Sequence, residues 1–298
     1  VSVGIGLFIA LIGLANANVI VPGQGVIVSI GNIKSGDALL ALIGLLITGI
    51  LLARKVKGAL FIGILITTVI GFPLGITKLP ESIISLPPSL APTFVKFDFS
   101  NIFSLDMLVV IFTFLFVDLF DTVGTLVGVS TKANMIGEDG KLPRAKQALF
   151  ADAVGTTVGA VLGTSTVTTY VESAAGVAEG GRTGLTSFTT GILFIIALLF
   201  SPIFIMIPGA ATAPALILVG LFMLSPIKDI GLEDYTEAIP AFLAIIMMPL
   251  AYSISEGIVF GILSYVLLKL LTGKGKEVSA LMYVVAVLFI LKIIFLGA

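Results

Sequence analysis

Long apolar runs alternate with short polar clusters along this chain, and most of the runs are long enough to cross a bilayer as helices. Val1 to Pro22 reads as a first span, with Asn16 and Asn18 near its far end at the interface, and the Gly-rich Gly23 to Gly36 reads as a loop. Asp37 to Ala53 is a second span, followed by the basic Arg54, Lys55 and Lys57. Gly58 to Ile76 is a third, ended by Gly71 and Pro73. Thr77 to Ser104 is interrupted by Pro80, Pro87, Pro88 and Pro92. Such spacing breaks helices, so this part reads as a surface or interfacial connector, on the outer side.

Leu105 to Ser130 is the fourth span, and Thr131 to Lys146 is the most polar loop, with Lys132, Lys141, Arg144 and Lys146. Two spans separate this basic loop from Arg54–Lys57, so both clusters fall on the cytoplasmic side by the positive-inside rule. Gln147 to Leu162 is a fifth, short span with Asp152 in its first turns. Gly163 to Tyr170 is different: it alternates and is rich in Thr, which predicts extended backbone rather than helix. Helix resumes near Val171 and runs to Ala178, too short to cross alone. An extended stretch joined to a half-helix at membrane depth is tolerated only where it is buried in protein or lines a cavity.

A tight turn, Gly180 to Thr183, carries Arg182 as a turn or interface anchor. Leu185 to Pro208 and Gly209 to Leu224 are further spans, with Pro202, Pro208 and Pro214 kinking or separating them. Ser225 to Glu237 is a polar connector. Ala238 to Ser253, Gly257 to Leu271 and Ala280 to Leu296 complete the apolar segments, and Glu237 and Glu256 read as helix caps or ends. No repeat of solenoid length and no low-complexity segment is visible.

Composition agrees with this pattern. Of 298 residues, 58% are hydrophobic and 11% charged, with a mean hydropathy of +1.21. Soluble domains carry about 25% charged residues, so this is an integral membrane protein, helical rather than a barrel. The net charge of −1 offers no nucleic-acid surface and no polybasic lipid patch. With no Cys there is neither a disulfide nor a thiolate metal site, and with no His the usual proton shuttle is missing. Proton chemistry must therefore use carboxylates. No Walker-type phosphate loop is present, so ATP is not the energy source. No cofactor is implied. Val1 opens directly into an apolar segment, without initiator Met, basic region or cleavage site, and the expectation is a trimmed chain or part of a longer protein.

Two stretches concentrate the candidate chemistry: Phe116 to Gly128 (FVDLFDTVGTLVG) and Gly163 to Gly176 (GTSTVTTYVESAAG). A charge at bilayer depth costs at least a few kcal/mol, so such residues mark pathways more often than not. Asp118 and Asp121, three apart, share a helix face, which Thr122 and Thr125 extend. Gly124 and Gly128 let another helix or a ligand approach closely. The plainer alternative is an ion pair with a basic residue on a neighbouring helix. Glu172 sits in the first turn of the half-helix, where a carboxylate also stabilises the helix end. Its small neighbours Ser173, Ala174, Ala175 and Gly176 leave room for a flat ligand. Asp152 reads equally as a packing residue or as an ion or substrate link. A desolvated carboxylate disfavours its charged form, so it can take up a proton on one side and release it on the other. It can also accept paired N–H groups of a planar heterocycle through charge-assisted bonds.

At these residues the chain resembles a known family. FVDLFDTVGTLVGV, GKLPRAKQALFADAVGTTVGAVLGTSTVTTYVESAAGVAEGGRTGLT and SPIFIMIPGAATAPALILVG are similar to blocks of the nucleobase:cation symporter-2 family, in its purine (adenine, guanine, hypoxanthine) permease branch. The likeness covers essentially the whole chain. It implies an all-α membrane protein of two inverted seven-span repeats, truncated here by about the first four spans, with a broken tenth span containing a short β-strand. On that template residues 1–77 are gate-domain helices and 78–104 the interfacial connector. Residues 105–206 are core helices holding the site, and 207–298 are gate helices plus a C-terminal segment that fits the span count poorly.

The resemblance assigns substrate binding to Asp118, Glu172, Asp121, Thr122, Thr168, Thr169 and Tyr170, with a strand over Thr166 to Tyr170. Proton coupling falls to Asp118, Glu172 and Asp152. It implies a purine nucleobase importer of the inner or plasma membrane, driven by protons or sodium through alternating access. The lipid bilayer and a homodimer are further partners; no metal or catalytic residue is implied. An anion transporter of the same fold, of sulfate or bicarbonate type, is a rival, but its site wants cations or helix N-termini rather than carboxylates. An intramembrane aspartyl protease could use paired Asp residues. Asp118 and Asp121 lie on one helix, however, and the Thr-rich break would have no role there.

Overall fold

Runs of Leu, Ile, Val, Ala and Phe become helices, because in lipid each backbone N–H and C=O must be satisfied within its own segment. The computed structural model describes residues 1–137 and 141–296. Helix α1 spans Ser2–Asn16, α2 Gly36–Ala53, α3 Ala59–Gly71, α4 Leu105–Lys132, α5 Ala145–Leu162 and α6 Ser173–Ala178. Helices α7 Gly184–Leu199, α8 Ser201–Ile205, α9 Gly209–Phe222, α10 Tyr235–Leu250, α11 Ile254–Leu271 and α12 Ala280–Leu296 follow. By length and composition, Gly36–Ala53, Val110–Lys132, Gly209–Lys228 and Ile254–Leu271 can each cross a membrane; α1, α3, α7, α10 and Ala280–Ile294 are shorter apolar helices. The molecule is an all-α membrane protein.

Several expectations shift. The loop after α1 holds a small antiparallel hairpin, β1 (Ile20–Val21) and β2 (Ser29–Ile30), with Ile20 opposite Ile30 and Val21 opposite Ser29. Strands of two residues are too short to show alternation in sequence. The span expected over Leu185 to Pro208 divides into α7 and α8, because Pro202 lacks an N–H and sits at the start of α8. The polar loop after α4 keeps Lys132 and Lys141 to Lys146, while its residues 138–140 lie outside the described residues. The connector from Lys78 to Ser104 is free of regular structure, as its prolines require.

The chain folds as two compact units. The first gathers Val1–Phe8, Leu90–Val171 and the chain from Met223 onward; the second gathers Ile9–Ser89 and Glu172–Phe222. In the second unit α2, α3 and α9 pack on one another. Small residues allow the close approach, as membrane helices require. A Cβ on Gly44 would lie 2.6 Å from Thr67 Oγ1 and 3.1 Å from Pro214 Cγ. The hydroxyls of Thr48 and Thr67 each donate to the carbonyl four residues back, at 2.7 Å, so they add no unpaired polarity to the seam. Ala17, Leu40, Ala41, Ala210 and Ala213 fill the neighbouring core.

In the first unit α10 and α11 form a hairpin through Gly257 and Gly261, which face Ala244 and Met248. The Ser253 side chain accepts the N–H of Glu256 and starts α11. Lys269, near the end of α11 and only 2% exposed, bonds Glu237 at 2.7 Å and Glu277 at 2.6 Å. Lys292 on α12 bonds Glu256 at 2.5 Å. Glu237 and Glu256 thus begin helices, as the sequence suggests, and also hold neighbouring elements. Phe289 of α12 packs on Phe116 and Phe120 of α4, at 6.0 and 5.4 Å between ring centroids.

Candidate functional site

The site residues of the first unit come from α4, α5 and the Thr-rich stretch between α5 and α6. Ser104 caps α4 by accepting the N–H of Met107, and the helix then runs unbroken through both aspartates. Asp118 and Asp121 are half-buried, and Thr122 and Thr125 are buried at 1% and 2% exposure. Gly124 and Gly128 receive the start of α1: a Cβ on Gly124 would lie 2.7 Å from Val1 Cγ1 and 2.9 Å from Ile5 Cδ1, and one on Gly128 would strike Met223 and Ser2. Both glycines thus take a close helix approach, and Gly124 also borders a cavity.

Helix α5 ends at Gly163, in the left-handed region at φ 76°, where a Cβ would collide with Thr93. The connector then satisfies the free end of α5. Thr93 Oγ1 donates to Leu162 O at 3.0 Å, and Val95 N donates to Val161 O at 2.9 Å. From Thr164 to Tyr170 the backbone is non-helical, as its alternation predicts. The expected β-strand over Thr166 to Tyr170 is not formed, because no ladder partner lies beside it among the described residues.

Side chains hold the stretch instead. Val167 points at α5, where Gly155 and Gly159 leave a trough: Cβ atoms there would sit 3.2 and 3.3 Å from its methyls. The flanking Thr166 and Thr168 reach the polar groups of α4 and α5. Thr166 Oγ1 donates to Asp118 Oδ1 at 2.9 Å. Thr168 and Thr122 share a hydroxyl bond of 2.7 Å, and Thr122 Oγ1 donates to Asp152 Oδ2 at 3.2 Å. The backbone N–H of Thr169 also bonds Asp152, and Asp118 lies near enough to Asp152 for their charges to interact. Thr156, one turn beyond Asp152, bonds Thr166 at 3.0 Å and donates to Val167 O at 2.8 Å.

Asp118, Thr166 and Thr156 therefore form one hydrogen-bonded chain, and Thr168, Thr122 and Asp152 form a second beside it. Asp152 is the acceptor at the end of the second chain. Thr169 joins through its backbone, while Tyr170 is 61% exposed. Glu172 opens the second unit, exposed at the N-cap of the six-residue α6, with Ala174 buried behind it. Thr156 is the residue that sequence reasoning missed. Its spacing of four from Asp152 puts both on one helix face, a signal that was available. A separate cavity of about 550 Å³ lies against α4, α10 and α11, with a largely apolar wall that includes Phe120, Val127, Pro240 and Ile258. Gly124 lines it, whereas Asp118, Asp121, Thr122, Asp152 and the Thr-rich stretch do not.

Comparison with known proteins settles the family. A sequence profile described as a permease family matches residues 1–260. The chain belongs to the nucleobase:cation symporter-2 family. This permease is 48% identical over 298 residues to the guanine/hypoxanthine permease PbuG of Bacillus subtilis, covering 99% of this chain and 68% of that protein. It is 44% identical over 298 residues to the adenine permease AdeP of Escherichia coli K12, covering 100% and 67%. It is 41% identical over 294 residues to the adenine permease AdeQ of the same organism, covering 99% and 66%. The permease is thus a multi-pass cell-membrane transporter and not an enzyme. It spans about two thirds of the length of these relatives.

Proposed function

We propose that the permease imports purine nucleobases by proton-coupled alternating access. The observation that carries this reading is the pair of hydrogen-bonded chains, two carboxylates and four threonine hydroxyls in all, joining α4, α5 and the unwound stretch, in a protein whose relatives are named as adenine and guanine/hypoxanthine permeases. A purine presents ring and exocyclic N–H groups along one edge, and carboxylates accept such donors strongly and in a fixed direction. Asp118, supported by Asp121 and Thr122, accepts from the base. Thr168, Thr169 and Tyr170 supply the facing surface, and Glu172 keeps the base-binding role that the family resemblance gives it. One proton shared among Asp118, Asp152 and Glu172 travels with the base.

In this reading residues 105–206 move as a core against gate helices from residues 1–77 and 207–298, with residues 78–104 as the interfacial connector. Non-helical backbone at a substrate site is the expected device for such transporters. A homodimer in the inner or plasma membrane is the working assembly. The test is uptake of labelled adenine, guanine and hypoxanthine by the full-length protein, with and without a proton gradient. Asp118→Asn and Glu172→Gln should each abolish concentrative uptake. Unchanged, still proton-dependent uptake in both variants defeats the assignment.

The two carboxylates speak against the anion-transporting alternative, since they bring negative charge and acceptors where an anion needs donors.

A further inference from the structure

Three oxygen–oxygen contacts run in series from α4 to the backbone of the unwound stretch. Asp118 Oδ1 is 2.9 Å from Thr166 Oγ1, Thr166 Oγ1 is 3.0 Å from Thr156 Oγ1, and Thr156 Oγ1 is 2.8 Å from Val167 O. Each contact needs one hydrogen. A threonine supplies one O–H, whereas a carbonyl and an ionised carboxylate supply none. With Asp118 ionised, two hydrogens serve three contacts, and one pair of oxygens faces without a proton. With a proton on Asp118, the count closes: Asp118 donates to Thr166, Thr166 to Thr156, and Thr156 to Val167 O.

The parallel branch counts differently. Thr168 donates to Thr122 and Thr122 donates to Asp152, so two hydroxyls serve two contacts while Asp152 stays ionised. The Thr169 N–H adds a further donor to that carboxylate. The two aspartates therefore differ in what their hydroxyl partners demand.

We propose that Thr156 and Thr166 form a hydroxyl switch, in which Thr156 is a positioning residue that ties the proton on Asp118 to the placement of the backbone at Val167. The proposal rests on the reading of Asp118 as a group that binds base and proton. When Asp118 gains its proton, both threonine hydroxyls point away from α4 and Thr156 clamps Val167 against the Gly155–Gly159 trough. When the proton leaves, Thr166 turns back to the carboxylate, and either the clamp or the Thr156–Thr166 contact opens. Asp118 has acidic neighbours on its own helix and on α5. Asp121 stands one turn along α4, and Asp152 approaches from α5. On the helices packed nearby, Glu256 pairs with Lys292, and Lys269 with Glu237 and Glu277. Phe289 of α12 meets α4 at Phe116 and Phe120.

The experiment joins pH-difference infrared spectroscopy of the purified full-length protein with proton-driven uptake of labelled hypoxanthine and adenine. A protonated-carboxyl band that vanishes in Asp118→Asn identifies the group. Thr156→Val should shift that band and move the uptake profile to lower pH, with the apparent KM at neutral pH raised about five- to tenfold, the size of one lost hydrogen bond. Thr156→Ser, which keeps the hydroxyl, should restore both. Thr166→Val reports on the same chain should Thr156→Val fold poorly. A wild-type band and pH profile in the valine variants overturns the switch, as does a serine variant that behaves like valine. Expected band shifts in a protein that carries no purine at any pH leave the switch standing and remove the purine reading instead.

Discussion

Replacing Gly159 with Ala tests whether the trough on α5 sets the geometry of the unwound stretch. A Cβ at Gly159 would lie 2.9 Å from Thr164 Oγ1, 3.2 Å from Ser165 O and 3.3 Å from Val167 Cγ2. The threonine side chain can turn away, but the carbonyl and the valine belong to the stretch itself, so the whole segment must back off by a few tenths of an ångström. That displacement lengthens the Thr156–Val167 O bond of 2.8 Å and the Thr166–Asp118 bond of 2.9 Å together. Two weakened hydrogen bonds at about 0.5–1.5 kcal/mol each cost about 1–3 kcal/mol in the substrate-competent arrangement. At about 1.4 kcal/mol per tenfold, purine affinity should fall by about tenfold or more. Binding of labelled adenine and hypoxanthine to the purified full-length protein measures it. The control is Gly49→Ala on α2, where nothing lies within 4 Å of the added methyl. Equal affinity in the two variants would refute the claim that the trough positions the site, whatever the effect on thermal stability.

Other consequences concern the ion pairs that tie the helices of the first unit. Lys292→Met leaves Glu256, itself only 24% exposed, without the cation at 2.5 Å, so its melting temperature in detergent should drop; adding Glu256→Gln should recover part of the loss, and no recovery would show that the pair itself is not what matters. Asp234, in the polar connector, is held well below the usual carboxylate range, first by the hydrogen bond from Lys274 at 2.7 Å and then by Thr236. Its folded-state value is depressed, so its contribution to stability is present above the unfolded value of about 3.9 and fades as pH falls toward the folded one. Lys274→Met should therefore flatten the loss of thermal stability below about pH 4, and an unchanged pH profile would rule Lys274 out as the cause.

Most helix positions were legible because lipid leaves the backbone only one local solution, and apolar run length states it directly. Segments near Asp37 to Ala53, Leu105 to Ser130 and Gln147 to Leu162 became α2, α4 and α5 with shifts of one or two residues at most ends. The break at Gly163 was legible too, since alternating threonines lack a helix period and Gly163 takes a left-handed conformation that suits glycine. The polar stripe of Asp118, Asp121, Thr122 and Thr125 followed from spacing alone.

Tertiary structure decided what sequence spacing cannot encode, namely which polar group meets which across helices. Thr156 carries no signal beyond its spacing from Asp152; only the approach of the unwound stretch makes it the residue that holds Val167 O. The glycines of α4 admit either a ligand or a helix by sequence, and only the packing shows Val1 and Ile5 seated on Gly124 and Met223 and Ser2 on Gly128. The Thr-rich segment has strand character in its alternation, yet a strand exists only where a partner offers its ladder, so here hydroxyls and carboxylates take that place. Local run length and period fix where the backbone can be helical, whereas hydrogen bonds between side chains far apart in sequence depend on the packing of whole elements.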